Sequence, residues 1–110
     1  EKASRTAAIQ DATKYAIEVP FKTMKAAYAS FDIIEAMVET GNPNSVTDAG
    51  VGALCVRSAV LGAWLNVKIN ASGLKDKSFL DKLMTEADDL ISLTNERERK
   101  ILDAVKGKIK

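Results

Sequence analysis

The stretch GNPNSVTDAGVGALCVRSAVLGAWLNVKIN, from Gly41 to Asn70, decides the fold. It opens on a polar loop, Gly41-Asn42-Pro43-Asn44. Ser45 reads as the N-cap of a helix, since its hydroxyl can accept from first-turn N–H groups that have no partner. Asp48, three residues on, stands where a carboxylate can reach back to the cap and favour the positive end of the helix dipole. The spacing predicts one helix from Val46 to about Asn70.

At about 100° per residue, Asp48, Gly52, Cys55, Ala59, Gly62, Asn66 and Asn70 fall on one narrow stripe. Leu54, Leu61, Leu65 and Ile69 flank it on one side. Ala53, Val56, Val60, Ala63 and Val67 flank it on the other. A thin strip of Gly50, Arg57, Trp64 and Lys68 is left for solvent or the edge of a partner. A helix apolar nearly all round is a central helix, covered by others. The stripe of small residues lets a neighbouring backbone come close, while its polar ends demand hydrogen-bond partners or a ligand.

Outward from this helix, the chain is 110 residues, enough for one domain with a modest core. Charges nearly cancel at a formal +1, which gives no reason to expect nucleic acid or a membrane surface as partner. No uninterrupted apolar run long enough to span a bilayer is read. The chain has no histidine, so histidine metal sites and Ser-His-Asp or Cys-His catalysis within it are excluded. There is no CxxC, no metal-ligand cluster and no glycine-rich phosphate loop. Cys55, the one cysteine, cannot form an internal disulfide and reads as a core thiol in a reducing, cytoplasmic setting. The chain opens on Glu1, as if inside a helix, which suggests a piece of a longer protein.

Upstream, Ala8, Ala12, Tyr15, Ala16 and Val19 have helical spacing. Pro20 removes an N–H and disfavours helical geometry at Val19, so the helix is expected to end or kink there. Phe21, Met24, Tyr28, Phe31, Ile34 and Val38 continue an amphipathic helix to about Thr40, stopped by Gly41. Downstream, Asp76 is a plausible N-cap for a last helix from Lys77. Phe79, Leu80, Leu83, Ala87, Leu90, Thr94, Ile101 and Val105 form its stripe. The charged run Glu96 to Lys100 reads as a solvated face with weak intrahelical pairs, and the tail KGKIK as frayed. The expected fold is all-α: one domain over 1–110, an antiparallel bundle of three to four helices around the helix at 46–70. So small a chain has too little core to cover that helix all round.

Asp48 is the only carboxylate of the central stretch, beside Asn42, Asn44 and Ser45 at a helix N-terminus. Such a place binds anions or polarised carbonyls, and a carboxyl against apolar walls can act as general acid or base. Plain capping is the competing reading. Asn66 and Asn70 share the face of Asp48 but lie five or six turns away. They can join it only across an antiparallel pair of central helices; otherwise they bond neighbouring backbone.

The blocks Ala16-x-x-Val19-Pro20, then GNPNSVTDAGV over 41–51, then Gly62-Ala63-x-x-Asn66-Val67-Lys68-Ile69-Asn70 together resemble the cyclodeaminase/cyclohydrolase family. That family comprises the C-terminal domain of formiminotransferase-cyclodeaminase and stand-alone methenyltetrahydrofolate cyclohydrolases. The resemblance covers nearly the whole chain and thins after Leu93. The family's upstream half, with its consecutive glycines, has no counterpart here, so this is a partial cyclodeaminase-like domain.

The resemblance implies a homodimer, a tetrahydrofolate substrate and no metal. It also implies closure of 5-formiminotetrahydrofolate to 5,10-methenyltetrahydrofolate with loss of ammonia, in histidine breakdown, and an upstream formiminotransferase domain is compatible with it. Asp48 is then the catalytic candidate. Asn42, Asn44 and Ser45 are the groups that orient the pterin, and Asn66 and Asn70 are further substrate-binding candidates. A cyclohydrolase is the first alternative. A non-catalytic helical assembly module, with Asp48 and the asparagines only capping and docking helices, is the second.

Overall fold

A computed structural model of the chain describes residues 1–109. They form α1 (Lys2–Ala29), α2 (Phe31–Thr40), α3 (Val46–Ala71) and α4 (Lys77–Lys108), with a short 3-10 turn at Pro43–Ser45. No strand occurs among them. The all-helical bundle is as expected, and α3, which touches all three other helices, is its centre.

The core is a single cluster along the length of α3. Ile17 and Met24 of α1, Phe31 of α2, and Val60 and Val67 of α3 are fully buried. Each such side chain contributes roughly 1.5–3 kcal/mol through burial. Leu83, Ala87, Ile101 and Val105 of α4 complete the cluster, and Phe79, Leu80 and Leu90 pack half-buried against it. Asp76 caps α4 as expected, its carboxylate accepting from Phe79 N at 3.2 Å.

The N-terminal helix departs from expectation in two ways. It does not end at Pro20, which sits inside α1. Ile17, Phe21 and Met24 form one buried stripe that spans the proline, so packing on both sides holds the helix through the missing N–H. The break falls instead at Ser30, whose N–H bonds back to Ala27 at 3.0 Å before α2 begins. The expected core stripe of α1 is also rotated. Tyr15 is 67% exposed and Val19 is exposed, while Ile17 carries the burial.

The strip of α3 left for solvent or the edge of a partner is its seam with α4. Gly50 is buried there. A Cβ on Gly50 would lie 3.3 Å from Val105, so the helices cross closely at that point. The Trp64 indole N–H donates to Asp88 at 3.0 Å, and Arg57 Nε donates to Asn95 at 2.9 Å, with Glu98 3.6 Å away. Lys68 stands over the Trp64 ring.

The opposite side of α3 is bare. Leu65 is 62% and Ile69 75% exposed, with Val51 and Leu54 exposed beside them. Cys55 is exposed on this side too, not a core thiol. Taken with the 3-10 turn, α3 contains a window of mean hydropathy 1.4, so by length and composition alone it passes as a membrane span. Arg57 and Lys68 interrupt that stretch, so it is not the uninterrupted apolar run whose absence was expected, and the central helix of a helical domain meets the same measure.

The molecule is a rod, 67 × 18 × 17 Å, with a radius of gyration of 18.0 Å. A compact chain of this length has about 13 Å. Its surface of 7076 Å² likewise exceeds the roughly 5,900 Å² of a compact monomer of its mass. The bare apolar residues of α1 and α3 account for the sense of that excess.

At the far end, α4 continues to Lys108, so the tail is helical over Lys106–Lys108 and not frayed there. The last residue of the KGKIK reading, Lys110, lies outside the described residues. Lys108 Nζ donates to the Val38 carbonyl at 2.6 Å and so satisfies an orphan acceptor at the end of α2. Within the charged run, Lys100–Glu96 and Arg99–Asp103 are the exposed intrahelical pairs expected. Arg97 and Glu98 turn inward instead.

Candidate functional site

The loop between α2 and α3 is built on two local devices. Gly41 ends α2 in extended conformation, its N–H bonded to Met37 O at 2.9 Å. A Cβ there would come within 2.5 Å of that carbonyl, so only glycine fits the turn. The Asn42 side chain then accepts from Asn44 N at 2.9 Å and caps the 3-10 turn. Ser45 stands at the N-cap of α3 as expected but makes no side-chain cap bond, and the side-chain cap in this loop is that of Asn42 on the 3-10 turn.

This geometry leaves a pocket of about 280 Å³ at the start of α3. Ile34 and Met37 of α2 form one wall. Gly41, Asn42 and Ser45 form the rim, and Asp48, Ala49 and Gly52 the other wall. Gly52 keeps this wall low, since a Cβ on it would meet the Ile34 Cδ1 at 3.4 Å. Asp48 is exposed, and its carboxylate has no hydrogen bond or ion pair among the described residues. The reach-back of Asp48 to the cap, the bland alternative for this residue, is therefore not made. The structure brings Asn42, Ser45 and Asp48 to one pocket; Asn44 is tied to it through its bond to Asn42 but is not on the lining.

Asn66 and Asn70 are elsewhere. They line a groove of about 610 Å³ between α1 and α3, with Tyr15, Thr23, Ala59 and the Pro20 turn. About 27 Å of helix separates Asn66 from Asp48, so one chain does not join them. Both amides bond back into α3: Asn66 Nδ2 donates to Gly62 O at 3.3 Å and Asn70 Nδ2 to Asn66 O at 2.9 Å. Their amide oxygens are left for the groove. Tyr15 and Thr23, absent from the sequence-based candidates, join them there because α1 runs on through Pro20.

One further residue missed by pattern reasoning holds α2, the helix that forms a wall of the first pocket. Arg97 of α4 bonds Asp32 at 2.8 Å and also pairs with Glu35, both on α2. Burial opposes its charge, but the hydrogen bond to Asp32 and the neighbouring Tyr28 outweigh that and hold its pKa above the ordinary arginine value. No group of three or more acidic or cysteine side chains suited to a metal ion occurs among the described residues.

The sequence model of the family described as formiminotransferase-cyclodeaminase matches residues 1–89. A methenyltetrahydrofolate cyclohydrolase of Methylorubrum extorquens is 36% identical over 109 residues, covering 99% of this chain and 52% of that protein. A formimidoyltransferase-cyclodeaminase of Dictyostelium discoideum is 31% identical over 104 residues, 94% of the chain and 19% of that protein. The rat enzyme of the same name is 24% identical over 98% of the chain and 20% of its own length. The chain thus spans about half the length of the first relative and about a fifth of the other two.

Proposed function

The chain belongs to the formiminotransferase-cyclodeaminase family, and from that premise we propose that it forms part of a folate-dependent cyclodeaminase. The substrate is 5-formiminotetrahydrofolate and the products are 5,10-methenyltetrahydrofolate and ammonia, a step of histidine breakdown. The observation that carries this reading is the Asp48 carboxylate, unpaired at the mouth of a pocket that joins apolar walls to an amide-bearing rim.

The chemistry needs one proton shuttle. N10 of the folate attacks the protonated formimino carbon on N5, forming the second C–N bond and giving up its proton. The exocyclic nitrogen then takes a proton and leaves as ammonia, and the cationic methenyl bridge remains. A single positioned carboxyl can accept the first proton and return it to the leaving nitrogen. Asp48 has that role here. Asn42 and Ser45, with Asn44 behind them, offer donors and acceptors that orient the ring. Asn66 and Asn70 serve a distant part of the substrate, or the same site across a homodimer of antiparallel α3 helices.

A second reading is methenyltetrahydrofolate cyclohydrolase, favoured by the Methylorubrum relative that matches nearly the whole chain. It uses the same bridge, opened by water with the same carboxyl as base. The tetrahydrofolate carrier, the homodimer, an upstream formiminotransferase domain and a cytoplasmic setting belong to the proposal as well.

The test is Asp48→Asn in the full protein. Loss of a general acid–base group lowers turnover by about 10²–10⁴. Unchanged turnover in a variant with intact helical circular dichroism overturns the role. Ammonia release from the formimino substrate, set against hydrolysis of the methenyl compound, separates the two enzymes.

A further inference from the structure

The pocket at Asp48 has one wall that is not secured by its neighbours in sequence. α2 is only 10 residues long and is interrupted at both ends, by Ser30 and by Gly41. A helix this short is marginal by itself and must be held by tertiary contacts. Its polar tethers come from α4, and from a part of α4 that the family's sequence model, ending at residue 89, does not reach.

Arg97 is the principal one. Its guanidinium bonds Asp32 at 2.8 Å and pairs with Glu35, one turn apart on α2. The same group lies 5.2 Å from the centre of the Tyr28 ring and 5.3 Å from that of Phe31, the residues on either side of the Ser30 break. Those rings meet edge to face at 5.7 Å. One planar cation therefore ties the end of α1, the break and the first turn of α2 to α4. At the other end of α2, Lys108 holds the Val38 carbonyl. Glu35 and Val38 bracket Met37, and Glu35 adjoins Ile34; Ile34 and Met37 are the pocket wall.

We infer that the distal half of α4 fixes the α2 wall of the Asp48 pocket, with Arg97 as a positioning residue for the substrate. The inference rests on the folate reading above for the identity of that substrate. It does not rest on it for the clamp. Arginine is required because a lysine supplies one point charge and neither the fork nor the flat face.

The experiment compares Arg97→Met and Arg97→Lys in the full protein, with Arg99→Met, an exposed charge on the same helix, as control. Two readouts are taken: amide exchange over 33–40, and KM and kcat for 5-formiminotetrahydrofolate. Arg97→Met speeds exchange in α2 while α3 stays protected, and raises KM about tenfold with kcat within about twofold. Arg97→Lys recovers part of both effects and Arg99→Met changes neither. Unchanged exchange in Arg97→Met overturns the clamp, whatever the enzyme does. Faster exchange with unchanged KM overturns the positioning role and leaves the folate reading intact. If Asp48→Asn keeps full turnover, the folate reading of the pocket falls, and the exchange result still decides the clamp.

Discussion

The Gln10 side chain of α1 bonds the turn after α3 at two points 63 and 65 residues away: its amide donates to Gly73 O at 3.1 Å, and its oxygen accepts from Lys75 N at 2.8 Å. One amide thereby satisfies both an acceptor and a donor of the α3–α4 connection and fixes it against α1. Gln10→Ala leaves both backbone groups to water and is expected to lower stability by about 1–2 kcal/mol. Gln10→Glu keeps the acceptor but turns a carboxylate toward a carbonyl, and is expected to cost at least as much at neutral pH. Urea denaturation of the chain measures both; a loss below a few tenths of a kcal/mol in either shows the turn to be held otherwise.

Pro20 is a cost that α1 carries. It offers no N–H to the Ala16 carbonyl, and proline inside a helix is about 3 kcal/mol less favourable than alanine. Part of this is offset, because proline also stiffens the unfolded chain by about 0.4–1 kcal/mol. Pro20→Ala is expected to raise stability by about 1–2 kcal/mol, or about 5 °C or more in thermal melts. A lower melting temperature shows that the ring's packing beside Val19 and Ala63 outweighs the backbone defect.

Gly62 and Gly41 predict opposite signs for the same substitution. A Cβ on Gly62 meets nothing within 4 Å, so Gly62→Ala gains helix propensity and stabilises the chain by about 0.8–1 kcal/mol. A Cβ on Gly41 runs into the Met37 carbonyl, so Gly41→Ala forces the loop to move and destabilises by more than about 1 kcal/mol. Paired melting curves decide this, and equal shifts for the two variants contradict the placement of these residues.

Ile69 is three-quarters exposed on the bare side of α3. Ile69→Lys is expected to leave the stability of the isolated chain within about 0.5 kcal/mol. It is also expected to reduce binding of an apolar dye such as ANS, which reports exposed apolar surface. A destabilisation above 1 kcal/mol shows Ile69 to be packed.

The central helix was legible in the sequence to within one residue at its C-terminal end, because a polar loop and a Ser-Gly turn bracket an unbroken apolar run. The Asp76 cap and the stripe from Phe21 to Val38 were legible for the same reason: local chemistry marks them. The Asn42–Asp48 cluster was also readable, since its members are close in sequence. Four things were not. The buried face of α1 is hidden because alanines on every side blur the stripe that Ile17 leads. The Ser30 break carries neither glycine nor proline. A helix apolar all round does not say which side its neighbours take, so the strip read as open to solvent or to the edge of a partner could not be assigned to α4 in advance. Arg97 sits in a run of alternating charges, and only the arrival of α2 from 65 residues away singles it out.

Cys55 is the sole thiol in the chain, and it stands on the uncovered side of α3. Alkylation of that sulfur is therefore a one-site footprint. A maleimide reads how open this side is in the chain alone, and its rate in any longer form reports shielding at one known atom. The molecule comes with its own probe for whatever lies against its longest bare flank.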